Sequence, residues 1–417
     1  MKKLMLIGLW FTGLLQAQQI LIPMDLSQRD HLKAYGAAFH ALENGQTVEW
    51  LLNYRGGSFL LPGDMQLQRL CRLRGIRVEA VDASALAKVY TAIEAGNMES
   101  IKLETAPRIA VYAPPTNQPW DDAVTLALTY AEVPYTQIWD EAVLRGDLDR
   151  YDWLHLHHED FTGQYGKFYG SYRHAEWYRR QQAEFETEAR RLGFKKVSRL
   201  KLAVAETVKA YVQRGGFLFA MCSATDSYDI ALAASNTDIC ETVFDGDGVA
   251  PSCQQALDFS RTLAFENFTL FTEPSVYEYS DIDTTPLERS GVRPPATDYF
   301  TLFEFSAKYD PVPTMLTQNH VAVIHNFMGQ TTAFHKSTIK PSVVIMAEHE
   351  GSGEVKYLHG SSGRGTFTFL GGHDPEDYQH FVGDPPTDLA LHRNSPGYRL
   401  ILNNVLFPAA RKKKQKT

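Results

Sequence analysis

One stretch, residues 215–234 with the sequence GGFLFAMCSATDSYDIALAA, constrains the fold more than any other. Two glycines end a preceding helical pattern, five apolar residues at 217–221 have the length of a buried strand, and a helical pattern over 223–234 starts with no loop between them. Only Cys222 stands at the bend. A strand that passes straight into a helix at a nucleophilic side chain is a nucleophile elbow. It holds that side chain over the carboxyl edge of a sheet and aims the first N–H groups of the helix at whatever charge develops there. Cysteine is also a common small core residue, so Cys222 alone leaves a reactive and a packed thiol both open.

The rest of the chain is read around that elbow. From residue 108 strands and helices alternate: strand 108–112, helix 120–131, strand 135–139, helix 141–148 and strand 152–156. Alternation of this kind predicts a parallel sheet with right-handed crossovers, whose ligands sit beyond the carboxyl ends of the strands. The third strand runs into His155-Leu156-His157-His158-Glu159-Asp160, which places His157, His158 and Glu159 at that edge as pocket-lining candidates, with Ser223 and Gly372. Residues 164–213 are mostly helical in pattern, and the Tyr-rich part at 165–178 reads as a cover over the site or as ordinary packing. Beyond the elbow helix the pattern turns β-rich, at 265–271, 276–279, 299–305, 321–327 and 342–348. A glycine-rich hairpin over 359–364 follows, framed by strands 355–358 and 365–370. The last of these strands ends in Gly371-Gly372-His373-Asp374-Pro375-Glu376, and 398–407 reads as a closing amphipathic helix.

Residues 18–105 form a separate N-terminal unit in this reading: strand 20–23, helix 30–42, strand 48–54, helix 65–74, strand 76–81 and helix 83–95, with 96–107 as a linker. The glycine turn at 55–59 lacks the lysine and the following helix of a phosphate-binding loop. The fold class expected is therefore α/β, a parallel sheet flanked by helices over residues 108–410, with a smaller N-terminal α/β unit and a β-rich insertion.

The ends carry other signals. Lys2 and Lys3 precede an apolar run at 4–15 and then Gln16-Ala17-Gln18, which reads as a secretory signal at 1–17, too short for a comfortable membrane span. Its loss would take both lysines and move the formal charge from −8 to −10, and the expected location is periplasmic or secreted. An acidic balance argues against a nucleic-acid partner. The basic run at 411–417 reads as a solvated tail. Four cysteines in an exported chain of 417 residues invite disulfide arithmetic, and Cys240 with Cys253, close together in a Gly/Asp/Pro-rich loop, are the candidate pair.

With these residues on view, the second series resembles the class I glutamine-amidotransferase fold, in particular its trehalose-utilisation-like branch. The motifs are Gly-Gly, strand and Cys222 elbow, then Gly-Arg-Gly, a strand and Gly-Gly-His373-Asp374-Pro375-Glu376 before a last helix. Across its whole length the chain is also similar to exported bacterial proteins labelled asparagine synthetase B. The resemblance implies Cys222 as nucleophile and His373 as base, a pairing that raises the thiolate fraction. The family's orienting carboxylate, two residues past the histidine, would fall on Pro375, so Asp374 and Glu376 are both carried as candidates. The usual glycines two residues either side of the cysteine are Ala220 and Ala224. The residues of ATP-dependent asparagine synthesis are missing: Lys2 follows the initiator Met, and no SGG-x-DS loop occurs. No synthase domain that would receive ammonia is visible either.

Three readings follow. The first is a Cys222–His373 hydrolase of an amide or related acyl bond. The second is a non-catalytic binder of a small molecule or carbohydrate on the same fold. The third is a metal hydrolase drawing on the 155–160 run, since imidazole and carboxylate suit zinc-class ions, with His373 as the distant partner. The pattern specifies no cofactor and no bound metal, implies a small-molecule partner, and leaves the substrate and the oligomeric state open.

Overall fold

The computed structural model describes residues 19–116, 122–284, 298–310, 314–325, 327, 329–377 and 383–410. The expected signal at 1–17 and the basic tail at 411–417 lie outside them. The N-terminal unit is an antiparallel sheet of five strands, β1 (Gln19–Ile22), β2 (Val48–Leu52), β3 (Ser58–Pro62), β4 (Glu79–Val81) and β5 (Glu99–Leu103), in the order β4-β1-β3-β2-β5. Helices α1 (His31–Glu43), α2 (Met65–Leu73) and α3 (Ala83–Ala95) complete it, each capped at its N-terminus by an aspartate, Asp30, Asp64 or Asp82. Two sequence expectations are corrected here. The segment 96–107 is no mere linker, because β5 lies in it and pairs with β2 from Val48↔Leu103 to Leu52↔Glu99. The glycine turn at 55–59 leads directly into β3, which the pattern did not announce.

The larger sheet has a parallel core. Strands β6 (Ile109–Tyr112), β7 (Thr136–Ile138), β8 (Trp153–Leu156) and β9 (Phe217–Met221) are joined by helices α4 (Ala123–Ala131), α5 (Asp140–Leu144), α6 (Tyr169–Tyr172), α7 (Glu176–Arg191) and α8 (Val197–Arg214). After α9 (Ser223–Ala233) and the short α10 (Thr242–Asp245) come β10 (Tyr299–Leu302), β11 (Val323–His325), β12 (Phe334–His335), β13 (Val344–His349), β14 (Glu354–Ser362) and β15 (Gly365–Leu370). The order is β11-β10-β13-β14-β15-β9-β8-β6-β7, with β12 beside β14. Strand β15 pairs parallel with β9, and β9, β8, β6 and β7 continue parallel. The remaining strands are antiparallel.

Of the two readings of the β-rich part, an antiparallel extension or an insertion, the structure shows the extension of the same sheet. It is less regular than predicted, for 265–271 forms only the isolated bridges Phe265↔Ile339 and Leu270↔Ser280, and 276–279 forms none. Strands β6, β8 and β9 are buried at every position, as strands covered on both faces must be. Alternate residues of β9 serve the two sides: Phe217, Phe219 and Met221 join the core under α1 and α4, while Leu218 and Ala220 join the core under α8 and α9.

The closing helix α11 (Pro396–Leu406) departs from its expected amphipathic character. Every residue from Gly397 to Leu406 is buried. Its polar side chains are engaged on both sides. Arg399 donates to the carbonyls of Met24 at 3.0 Å and Gly56 at 2.6 Å, and Asn403 accepts from Tyr35 at 2.5 Å. The indole of Trp153 in β8 donates to the carbonyl of Asn404 at 3.0 Å. A continuous apolar core joins the N-terminal sheet, α11 and one face of the large sheet.

Cys240 and Cys253 do not pair. All four cysteines are free and buried, and the Cys240 thiol donates to the carbonyl of Thr162 at 3.3 Å. That contact packs Cys240 into the core under the 160–168 segment and turns its sulfur to a carbonyl there.

Candidate functional site

Cys222 occupies the turn between β9 and α9 with φ 49° and ψ −141°, a conformation that side chains other than glycine rarely adopt. The strain is held by neighbours on all sides. The Cys222 N–H reaches the carbonyls of Gly372 at 3.2 Å and Leu370 at 3.3 Å, and its own carbonyl accepts from the Thr225 N–H and hydroxyl. Ser223 donates to the carbonyl of His158 at 3.0 Å, and Ser227 to that of Glu159 at 3.1 Å, so the end of β8 is tied to the first turns of α9. The parallel register that sets Leu370 beside Met221 brings the loop after β15 to the same point.

The Cys222 sulfur and the Cβ of His373 both border Gly329 there. A Cβ built on Gly329 would lie 2.9 Å from His373 Cβ and 3.2 Å from Cys222 Sγ, so only a glycine fits against both residues at this point. The residues predicted from opposite ends of the domain, Cys222 and His373, are brought together with His157 and His158. Ligand-type atoms of His157, His158 and His373 all lie within 4.8 Å of one another. Ring centroids are 4.0 Å apart for His157 and His373 and 5.5 Å for His158 and His373. Gly372, at φ +92°, makes the close approach of this loop, since a Cβ there would come within 1.9 Å of the Phe327 carbonyl oxygen.

Burial dominates the electrostatics. Cys222 is 2% exposed and His373 3%. Burial pushes the thiol up to about 11, against the opposing pull of N–H groups from Thr331, Ser223 and Gln330 that donate to the sulfur. Asp226, in the first turn of α9, rises to about 7 for the same reason, although Thr331 donates a hydroxyl to it at 3.0 Å. Glu159 is raised to about 8, first by burial and then by Asp140, with Lys201 acting the other way.

The two carboxylates carried as orienting partners are engaged elsewhere. Asp374 accepts from the N–H groups of Glu376 and Asp377, from Thr387 at 2.8 Å and from Tyr398 at 2.9 Å, which makes it the anchor of its own loop on α11. Glu376 faces His392 at 3.0 Å. The carboxylate that does face the histidines is Asp122, which sequence reasoning passed over. It caps α4 through the N–H groups of Val124 and Thr125, and stands 3.4 Å from His155 Nε2 and 3.6 Å from His157 Nδ1. Burial would raise its carboxyl, but His155 and these hydrogen bonds outweigh that and hold it below its ordinary value. The signal was an aspartate directly before the apolar helix of 123–131, a capping pattern whose side chain happens to point at β8.

The start of the segment read as a cover or as ordinary packing is packed against the loop that carries Gln330. Tyr165, Gly166 and Lys167 are buried, all with positive φ, and Asp160 holds the turn by accepting from Thr162 and Gly166. Lys167 donates to the carbonyls of Phe271 at 2.7 Å and Glu273 at 2.9 Å. Gln330 joins cover and site by donating to Gly166 at 2.8 Å. A cavity of about 1050 Å³ lies at the opposite, amino edge of the parallel strands, lined by Arg108, Asp152, Tyr211, Arg364, Met315 and Phe407 among others.

No family model matches the chain. No curated protein matches it either. Among solved structures it shows a distant likeness to the cytoplasmic protein STM3548 from Salmonella typhimurium, at 10% identity and a TM-score of 0.33, over 76% of this chain and 91% of that one. The cytoplasmic protein STM1381 from Salmonella typhimurium LT2 is similar at 9% identity and a TM-score of 0.33, over 75% of this chain and 91% of the other.

Proposed function

We propose that the chain is an exported hydrolase of amide or related acyl bonds, with Cys222 as nucleophile and His373 as base, on an amidotransferase-like scaffold of the trehalose-utilisation kind, in the group labelled asparagine synthetase B. The observation that carries this reading is the convergence of the Cys222 sulfur and His373 on Gly329 at a strained strand-to-helix turn. Strain of this kind is kept where the surroundings over-determine it, and it collects at reactive sites.

A thiol pushed up to about 11 is protonated at neutral pH, so the base has a defined task. His373 takes the proton as sulfur attacks the carbonyl carbon, and the C–N bond of the tetrahedral adduct then breaks as the imidazolium returns the proton to the leaving amine. Water cleaves the thioester and restores the thiol. The N–H groups of Ser223, Gln330 and Thr331 stabilise the developing negative charge on sulfur. Both side chains are buried, so entry of a substrate requires neighbouring segments to move away.

Iodoacetamide at neutral pH is expected to modify Cys222 ahead of Cys71, Cys240 and Cys253, with ammonia release from small primary amides falling at least 100-fold in Cys222→Ser. A Cys222 that stays unmodified in the folded protein would sink the reading. One observation favours a second reading, a small-molecule binder: the cavity at the amino edge of the sheet has the volume of a ligand site. That reading expects ligand-induced thermal stabilisation which Cys222→Ser leaves intact.

A further inference from the structure

We infer that His157, His158 and His373 form a binding site for a zinc-class divalent cation, with Asp122 as the carboxylate behind His157. The inference goes beyond the thiol reading and does not rest on it. Three imidazoles from two separate chain segments, the end of β8 and the loop after β15, present ligand-type atoms within 4.8 Å of one another. Nitrogens bound to one zinc ion at about 2.0–2.1 Å in tetrahedral geometry lie roughly 3.3 Å apart, so small side-chain adjustments close the present trio onto a metal. Imidazole nitrogen is a favoured donor for zinc, copper and nickel and a poor one for calcium or magnesium, which fixes the class of ion.

The surroundings match what such ligands need. Metal-bound histidine characteristically turns its other ring nitrogen to a carboxylate or carbonyl, which sets the tautomer and the ring orientation. Asp122 Oδ1 lies 3.6 Å from His157 Nδ1, close enough that a small shift would pair them and leave Nε2 of His157 for the metal. Asp122 is in turn fixed by the N–H groups of Val124 and Thr125 and by His155, whose own Nδ1 is bonded to the carbonyl of Phe219 at 3.0 Å. His158 is tethered through its carbonyl to Ser223, and the His373 loop is tethered through Gly372, whose N–H donates to Thr331 at 2.7 Å. Ligands held by rigid elements are what a preorganised site requires. Asp122, His155 and His157 form a second trio of the same tightness. Its carboxylate already serves the helix cap, so we assign the ion to the all-histidine trio and keep Asp122 behind it. Three protein ligands leave a fourth position open, and metal occupancy would take His373 out of the base role proposed for it. The zinc-bound state and the hydrolytic state of the proposed enzyme therefore exclude each other.

The test uses the full chain without a histidine tag. Zinc chloride titrated by calorimetry, with elemental analysis after gel filtration, is expected to give one zinc per chain. Cobalt(II) in its place is expected to give the intense visible absorption of a tetrahedral ion, a readout that needs no variant. His158→Ala and His373→Ala should each weaken zinc binding at least about 100-fold and Asp122→Asn about 10- to 100-fold, with His40→Ala, on the exposed face of α1, unchanged. Melting curves of each metal-free variant confirm that the fold persists. No retained zinc, an octahedral cobalt spectrum, or equal zinc binding by the wild type and both histidine variants would overturn the site. So would loss confined to Asp122→Asn, which would move the ion to the neighbouring trio. Since zinc binding is measured without turnover, it can succeed where the thiol chemistry fails, and the reverse.

Discussion

At Cys222 the backbone carries a conformation suited to glycine while the position holds a side chain. Left-handed dihedrals at a residue with a Cβ are unfavourable by roughly 1–3 kcal/mol. Cys222→Ala and Cys222→Gly both remove the sulfur, so their difference isolates the backbone term. Ordinarily glycine is the less stable of such a pair because its unfolded chain has more freedom to lose. Here the order should invert, with the glycine variant about 1 kcal/mol more stable in urea denaturation; an alanine variant as stable as or more stable than glycine would show that the turn is relaxed. The neighbouring Gly372 has no such latitude, since a Cβ there would collide with the Phe327 carbonyl.

Helix α8 delivers the chain to the elbow, and it is fastened at the carboxyl edge of the sheet by one buried cation. Lys201 donates to both carboxylate oxygens of Asp140 at 3.0 Å and to the hydroxyl of Tyr112 at 2.8 Å, with its ammonium 3.8 Å from the centre of the Trp139 ring. Removing one partner of a buried pair strands the other charge, so Lys201→Met should destabilise by about 3–5 kcal/mol in thermal or urea unfolding. The double variant Lys201→Met/Asp140→Leu should regain a large part of that; a double variant no better than the single one would refute the account. Neither residue announced itself in sequence, because the other lysine of the same helix, Lys209, is only half-buried and looks the same on paper. What was legible were features with local causes. The apolar run of β9, the glycine stop before it, the histidines at the end of β8 and the Gly-Gly-His loop after β15 are all set by a few adjacent residues. The sheet then decides which of them meet, and pairings such as Asp122 with His155 depend on crossovers that no local pattern encodes. Strand β5 was read as linker for the same reason, as its hydrogen bonds come from β2 far back in the chain.

On the scale of the molecule the N-terminal sheet is joined to the rest through neutral histidines. His31 and His320 lie with ring centroids 4.6 Å apart, beside the buried guanidinium of Arg399, which donates to His320 Nδ1 at 2.7 Å. Burial, then Arg399, holds His31 down to about 3 and His320 to about 4, with Asp25 acting the other way on His31. A histidine depressed on folding contributes its full stability above its unfolded value near 6.5, and loses it as pH falls towards the folded one. The urea midpoint should therefore decline between about pH 6.5 and pH 4, and His320→Asn, which removes one of the two groups, should flatten that decline; a midpoint level across this interval would refute the assignment. The helix these histidines surround, α11, is made late yet lies innermost, its Arg399 bonded to the carbonyl of a residue 375 positions earlier. While a nascent chain is still emerging from the ribosome, the first sheet and the strands under Trp153 must wait with their apolar faces uncovered. Closure comes only when residues 396–406 arrive, so nearly the whole chain is synthesised before the core shared by the two sheets can be sealed.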